Sequence, residues 1–243
     1  RRQRQMCIRD RVWPGGLAIL VELLEVLRID RLRVSDGALR EGLLYDHIGR
    51  LHHEDARDRT VNAMARRYNV DKAQATRVAD TGLQLLGQVA KSWKLESPLA
   101  EQSLRWASTL HEIGLDIAHI GFQQHGAYIA ANADMPGFPR SEQKLLAFLI
   151  STQRSDLNRS SLNAVTSKWR KPALRLSILQ RLAVLLNRSR SSAESPDIRA
   201  AASGKKISLE FPAGWLYANP LTITDLEREQ KYLAAIGYEL TFG

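Results

Sequence analysis

The chain has 243 residues, of which 44% are hydrophobic and 25% charged, the composition of an ordinary soluble globular protein. No apolar run reaches the roughly 20 residues that cross a bilayer, and the N-terminal RRQRQMCIRDR has no apolar core, so neither a membrane span nor a secretory signal is expected. The single cysteine, Cys7, excludes an internal disulfide and favours a reducing, cytoplasmic location.

The positive charge of the chain is concentrated in one window. The formal net charge is +9, and residues 140–206 alone hold 14 lysines and arginines against 4 acidic residues. Such a field attracts a polyanion, which could be nucleic acid, an anionic membrane surface or polyphosphate. The alternative is that these side chains form ordinary solvated helix faces.

The first half of the sequence is predicted to be helical. GLAILVELLEVLRI (16–29) has apolar residues three and four positions apart. Ser35, Asp36 and Gly37 predict a turn before a second helix. A third helix is expected from about 55 to 68, ending at Asn69.

Helix-start signals recur further along the chain. Asp71 and Gln74 form a capping box for a helix over about 72–91. Ser97 followed by Pro98 begins another helix that runs towards His111, and a further helix follows Pro139. KPALRLSILQRLAVLLNRSRS supplies the longest apolar stripe in the chain.

The character of the sequence changes after a small, polar linker. KISLEF alternates as a strand should. Thr224 and Glu227 are expected to cap a helix that stops at Gly237, before a final strand. The predicted fold class is mainly α, followed by a small α+β C-terminal domain.

Three stretches together resemble the exopolyphosphatase/guanosine pentaphosphate phosphatase (Ppx/GppA) family. They are PGGLAILVELLEVLRIDRLRVSDGALREGLLYDHIGR (14–50), LHEIGLDIAHIGFQQHGAYIAANADMPGF (110–138) and WLYANPLTITDLEREQKYLAAIGYEL (215–240). The resemblance implies two actin-like catalytic domains that use Mg²⁺, then a helical domain related to HD phosphohydrolases and a small α+β domain. It implies that this chain begins inside the second actin-like domain and lacks the catalytic half.

The resemblance also implies domain boundaries. Residues 1–11 fit neither the family nor a helix and are expected to be non-native or disordered. Residues 12–50 would be the last helices of the second actin-like domain, 51–192 the HD-like helical domain, 193–206 a linker and 207–243 the α+β domain. In the family, the Gly15–Gly16 pair lies in a loop beside the phosphate cleft, although a tight helix-entry turn is the local interpretation. Arg40, in SDGALREG, either fixes a domain junction or faces that cleft.

HEIG (111–114) is similar to the HD signature of metal phosphohydrolases, in which imidazole and carboxylate ligands hold metal ions that activate water. An HD enzyme also needs an early histidine, where this chain has Gln74, and a late aspartate, expected near Val184. We therefore expect no metal. The degenerate site, a hydrogen-bonded polar cluster, would consist of His111, Glu112, His119 and His125.

The basic window predicts binding of polyphosphate or another polyanion, with the strong salt dependence of a phosphate backbone. The candidate side chains are Lys168, Arg170, Lys171, Arg175, Arg188, Arg190, Lys205 and Lys206. The resemblance adds a homodimer and pairing with the catalytic domains of the same protein, with no catalytic residue and no cofactor in this chain itself. The competing hypotheses are a self-sufficient HD-type hydrolase and a basic nucleic-acid-binding module.

Overall fold

The computed structural model describes residues 2–29, 56–157, 159–191 and 196–243. By its internal contacts the chain divides into two compact units, residues 1–48 and residues 49–243, which are described separately. Arg40 and the SDGALREG motif lie outside the described residues. Among those residues no helix is both long and apolar enough to cross a lipid bilayer.

The described part of the first unit is one helix, α1 (Arg2–Val26), followed by a turn. The prediction that residues 1–11 fit no helix is wrong for residues 2–11, because a segment of arginine and glutamine has good helix propensity without an apolar stripe. Gly15 and Gly16 lie within α1, and a Cβ added at either position would meet no neighbouring side chain within 4 Å. The expected loop or helix-entry turn at this pair is therefore also wrong.

The second unit is mainly helical. Its helices before the sheet, separated by short turns, are α2 (Ala56–Arg67), α3 (Lys72–Trp93), α4 (Pro98–Thr109), α5 (Phe122–Asn132), α6 (Arg140–Ser151), α7 (Arg159–Leu162) and α8 (Arg170–Leu186). Two predicted caps are confirmed. The Asp71 carboxylate accepts from the Gln74 amide at 3.0 Å, and the Ser97 hydroxyl accepts from the Ala100 amide at 3.3 Å.

A three-stranded sheet and two helices complete the unit. β1 (Arg199–Ser203) pairs antiparallel with β2 (Lys206–Glu210), which pairs in parallel with β3 (Glu239–Phe242). Between β2 and β3 lie α9 (Trp215–Ala218) and α10 (Pro220–Ala235). The predicted fold class, mainly α with a small α+β part, is confirmed, but residues 199–203, assigned to a linker, form the first strand.

The start of α10 differs from the prediction. Pro220 occupies its first turn, where a fixed φ suits a helix, so α10 begins before the expected cap. Thr224 lies inside the helix and its hydroxyl donates to the Pro220 carbonyl at 3.4 Å. The predicted stop is confirmed: Gly237 has a φ of 77°, the left-handed conformation typical of a helix C-terminus.

Helix α8 is the centre of the core. It packs against α3, α4, α6 and α10, and Leu176, Ile178, Leu179 and Leu182 are fully buried. A helix covered on most sides needs apolar residues around most of its circumference, and α8 has them apart from the buried polar residues Arg175, Ser177, Gln180 and Arg181.

Gln88 of α3 hydrogen-bonds directly to the backbone at the start of the sheet. The Gln88 amide nitrogen donates to the Ile198 carbonyl at 2.9 Å, and its oxygen accepts from the Ala200 amide at 2.6 Å. The Ala200 amide belongs to β1 and the Ile198 carbonyl directly precedes it, so Gln88 satisfies backbone groups that a neighbouring strand would otherwise pair.

Candidate functional site

A cavity of about 330 Å³ lies where the ends of α3, α4, α6 and α8 meet α10. Its walls contain most of the polar residues that the HD comparison singled out: Gln74, His111, Glu112 and His119, together with the apolar Val184. His125 lies on α5 and is not among the residues that line the cavity. The sequence-based cluster is thus largely brought together, with one histidine left out.

His111 is buried in the cavity wall and held by a backbone bond. Only 2% of the residue is exposed, and its Nδ1 donates to the Ser108 carbonyl at 2.6 Å, which leaves Nε2 as an acceptor. Burial lowers the pKa of His111 below its ordinary value of 6.5, although the neighbouring Glu112 carboxylate opposes this shift. His111 is therefore a neutral imidazole at pH 7, with Nε2 3.8 Å from Glu112 Oε1.

Glu112 belongs to an ionic bridge and not to a metal ligand set. Its Oε1 accepts a short hydrogen bond from Arg190, whose other terminal nitrogen donates to Asp71 at 2.9 Å. The hydrogen bond from the Gln74 amide is the main cause that lowers the pKa of Asp71, and Arg190 adds to it. Arg190 adopts a positive φ of 53°, an uncommon conformation for a residue other than glycine, with its side chain paired to both carboxylates.

The floor of the cavity contains a buried ion pair. Arg181 Nε donates to Glu229 Oε1 at 2.5 Å and Nη2 donates to Oε2 at 2.8 Å, in bidentate geometry. Its Nη1 donates to the Thr152 carbonyl at 2.6 Å, and the guanidinium lies 5.3 Å from the Tyr232 ring centroid. The Arg181 side chain is 1% exposed, so this pair joins α8 to α10 away from water.

The glycine of HEIG sets how closely the histidine segment packs. Gly114 is the second residue of a short 3₁₀ turn (Ile113–Asp116) against α5, where a Cβ would overlap the Phe122 carbonyl oxygen and lie 2.6 Å from the Gly126 amide nitrogen. Only glycine allows this approach of two backbones. The motif therefore has a packing role that does not depend on a metal.

The residues present do not fit the two-metal site of an HD hydrolase. At the early position the side-chain nitrogen of Gln74 donates to the Asn187 carbonyl at 2.8 Å, and its side-chain oxygen accepts from Arg77. Both polar atoms of this side chain are therefore already hydrogen-bonded within the protein. At the late position Val184 offers no donor atom. Within the described ranges, no group of three or more histidine, cysteine, aspartate or glutamate side chains is arranged to hold a metal ion.

The predicted basic residues separate into two groups at opposite ends of α8, which at 17 residues is about 25 Å long. Lys168, Arg170 and Lys171 are exposed at its start, and Lys205 and Lys206 follow Gly204, whose carbonyl is bonded to the nearby Arg175. Arg188 and Arg190 lie past its other end and line the cavity.

The prediction is wrong for Arg175, which is 6% exposed. Its guanidinium donates to the carbonyls of Trp93 at 2.6 Å and Gly204 at 3.1 Å, so it ties the sheet to the helices. Lys206 is paired with Glu239 at 2.7 Å, and one nitrogen of Arg188 contacts both carboxylate oxygens of Asp225 at 2.7 Å.

Sequence reasoning missed several residues of the cavity wall: Gln153, Arg154, Asp225, Arg228, Glu229 and Tyr232. One signal was available. Gln180 and Arg181 interrupt the apolar run ILQRLAVLL in the most buried helix, and buried polar residues need partners from elsewhere in the fold. The partner of Gln180 is Ser108 on α4 and the carboxylate partner of Arg181 is Glu229 on α10, and these positions depend on the tertiary fold and not on local pattern.

Comparison with known proteins gives consistent matches. Residues 56–230 match the model of "Ppx/GppA phosphatase, domain III", and residues 7–51 match that of the "Ppx/GppA phosphatase family", so the match includes residues 7–11. A guanosine-5'-triphosphate,3'-diphosphate pyrophosphatase of Aeromonas hydrophila is 38% identical over 224 residues, 90% of this chain and 45% of the relative. Proteins of the same name from Pseudoalteromonas translucida and Vibrio cholerae are 36% and 37% identical, each over 96% of this chain and 46% of the relative. The chain spans less than half the length of these relatives.

Proposed function

The chain belongs to the Ppx/GppA phosphatase family, and on that premise we propose that it is the part of a phosphoanhydride hydrolase that binds phosphate chains and forms the dimer. The family match over most of the chain carries this proposal, and the relatives' names add a hydrolase that acts on guanosine-5'-triphosphate,3'-diphosphate. The whole protein would remove a terminal phosphate from that nucleotide or from polyphosphate. Mg²⁺ would act in the actin-like half that the resemblance implies.

The basic group at the start of α8 is the better candidate for a phosphate chain. Lys168, Arg170 and Lys171 lie within four consecutive positions and are exposed. Arg170 already donates to the carbonyls of Val165 and Asn163 at 3.2 and 3.3 Å, so its guanidinium is held at the surface. Lysines beside a fixed arginine suit a flexible polyanion, which needs charge more than exact geometry.

Binding is tested with long-chain polyphosphate titrated against the purified chain at several salt concentrations. We expect affinity to fall steeply with salt, because each neutralised phosphate releases counterions. The double variant Lys168→Gln/Lys171→Gln should reduce the salt slope by about two, whereas Lys91→Gln, at an exposed lysine of α3, should leave it unchanged. Equal slopes for all three proteins would contradict the assignment.

Phosphate release decides between this proposal and the HD-type hydrolase. The purified chain is incubated with polyphosphate or guanosine-5'-triphosphate,3'-diphosphate, first with Mg²⁺ and then with Mn²⁺. We expect no release with either metal. Release that requires Mn²⁺ and disappears in His111→Ala would overturn the proposal in favour of a metal site at the HEIG motif. Tighter binding of RNA than of polyphosphate at equal salt would instead favour the nucleic-acid-binding hypothesis.

The dimer is the second part of the proposal and has its own test. Light scattering behind a sizing column gives the molar mass of the chain in solution, independently of any ligand. A mass near twice 27.3 kDa would support a homodimer, and a monomer at all concentrations would contradict it.

A further inference from the structure

Two arginines lie between the cavity beside His111 and the solvent. Arg188 and Arg190 line the cavity, yet their side chains are 65% and 44% exposed. Arg188 pairs with Asp225 on α10, and Arg190 pairs with Glu112, which follows α4. Because Asp225 and Glu112 belong to different walls of the cavity, the two side chains connect these walls through residues 188–190, which we call the strap.

The strap starts from a firmly held residue. Asn187 is 7% exposed, and its Nδ2 donates to the Thr81 hydroxyl and to the Ala183 carbonyl, both at 2.9 Å. Its own carbonyl accepts from Gln74 at 2.8 Å. These buried contacts fix the end of α8 against α3. A residue at the end of an element, fixed on one side only, is a suitable hinge, so a motion of the strap would pivot at Asn187.

The strap itself is held by weaker contacts. Ion pairs that reach solvent contribute little to stability, and they weaken as the salt concentration rises. Arg190 also has a φ of 53°, a conformation that costs energy in a residue other than glycine and persists only where surrounding contacts hold it. If Arg190 released Glu112 and Asp71, its backbone could return to an ordinary conformation, and this relief of strain favours an open form.

From this arrangement we propose that the strap is a gate over the cavity, hinged at Asn187 and held shut by the pairing of Arg190 with Glu112 and Asp71. Rising salt, or loss of the Glu112 carboxylate, opens the gate and admits small molecules to the cavity. The buried pair of Arg181 and Glu229 stays in place, because it is shielded from ions. The gate does not depend on the proposed binding of phosphate chains.

Access to the cavity is measured by the rate at which N-ethylmaleimide, an uncharged reagent, labels a cysteine introduced at Val184 in the cavity wall. The single natural cysteine, Cys7, is replaced by serine in every protein. Salt is raised from about 0.01 M to about 1 M, which shortens the Debye length from roughly 30 Å to 3 Å. We expect labelling to accelerate about two- to fivefold, because an exposed ion pair accounts for a factor of that size.

Two variants of the Val184→Cys protein test the pairing directly. Arg190→Gln should label about two- to fivefold faster at low salt and lose most of the salt dependence. Glu112→Gln should accelerate labelling in the same direction, because it weakens the same pair from the other side. Arg105→Gln is the matched control, since Arg105 pairs with Glu101 on the exposed face of α4, outside this cavity.

A second cysteine position controls for the chemistry of labelling. Thr224→Cys places the thiol on the exposed face of α10, outside the cavity wall, and its labelling rate should not depend on salt or on Arg190. Thermal unfolding is measured first, so that rates are compared among proteins of equal Tm. If Arg190→Gln does not fold, Glu112→Gln and the salt dependence of the Val184→Cys protein decide.

Four results would each overturn the proposal. They are a labelling rate at Val184→Cys that does not change with salt, equal rates with and without Arg190→Gln, equal acceleration by Arg105→Gln, and labelling at low salt as fast as that of Thr224→Cys. The last result would mean that the cavity is already open when Arg190 is paired.

Discussion

Removal of the Glu229 carboxylate should be the most destabilising single change at the cavity. Arg181 makes three hydrogen bonds, two to Glu229 and one to the Thr152 carbonyl, and its side chain is 1% exposed. In Glu229→Ala the guanidinium keeps its charge and its burial but loses both bonds to the carboxylate. Breaking a buried pair in this way costs about 3–5 kcal/mol of unfolding free energy, which for a chain of this size lowers Tm by roughly 10 °C.

Asp225→Ala is the matched control, because it removes a carboxylate from the same helix and the same cavity. The partner of Asp225, Arg188, has a side chain that is 65% exposed, so water can replace the lost contact. Exposed pairs contribute about 0–1 kcal/mol. Both variants remove one carboxylate. The ratio of their losses in unfolding free energy therefore measures the effect of burying the ion pair and not the effect of removing a charge.

Urea unfolding followed by tryptophan fluorescence measures both losses, since Trp93 and Trp106 are buried in the core. We expect the midpoint to shift strongly for Glu229→Ala and little for Asp225→Ala, with unchanged m values. The double variant Arg181→Met/Glu229→Leu should recover most of the stability, because no charge is then left buried. A loss below about 1 kcal/mol for Glu229→Ala, equal to that of Asp225→Ala, would refute the reasoning.

Three further predictions concern the HEIG segment and its neighbours. Gly114→Ala should cost about 3 kcal/mol in urea unfolding, because the added Cβ meets backbone atoms; Gly87→Ala, in α3 with open space around it, should be neutral or stabilising, and equal effects would contradict this. Asp71→Ala should cost about 1 kcal/mol through loss of the α3 cap, and an unchanged urea midpoint would argue against that cap. Because burial lowers the pKa of His111, the unfolded chain binds a proton at a higher pH than the folded chain does. Stability should be complete above pH 6.5 and fall as the pH drops below that value. His111→Asn should flatten the slope, and the same slope in both proteins would assign the effect to another group.

Much of the fold follows from the sequence, because its helices carry both periodicity and caps. Asp71 and Ser97 are helix caps in the structure as in the prediction, and Gly237 ends its helix. Strand β1 was missed because RAAAS is short and small, with no alternating pattern. It forms a strand because β2 and Gln88 supply hydrogen-bond partners for its backbone. These partners are distant in sequence or belong to another element, so the pattern of RAAAS itself does not reveal them.

The site was only partly predictable, for a similar reason. The HD comparison located His111, Glu112 and His119, and the mismatches at Gln74 and Val184, in one cavity wall. It did not reveal the opposite wall on α10, where Glu229 neutralises Arg181. A charge count treats all basic side chains alike, yet Arg175 and Arg181 are buried while Lys168 and Lys171 are exposed. Which charges can meet a ligand depends on tertiary burial.

The two hydrogen bonds that Gln88 makes to Ile198 and Ala200 form late while the chain is synthesised on the ribosome. The two partners of Gln88 lie 110 and 112 residues further along the sequence. At a synthesis rate of about 5–20 residues per second, roughly 5–20 s pass between the appearance of Gln88 and that of β1. During that interval the face of α3 that the sheet covers stays open to water and to other nascent chains. A molecular chaperone that recognises apolar helix faces would therefore find this protein most accessible before residue 198 has been translated.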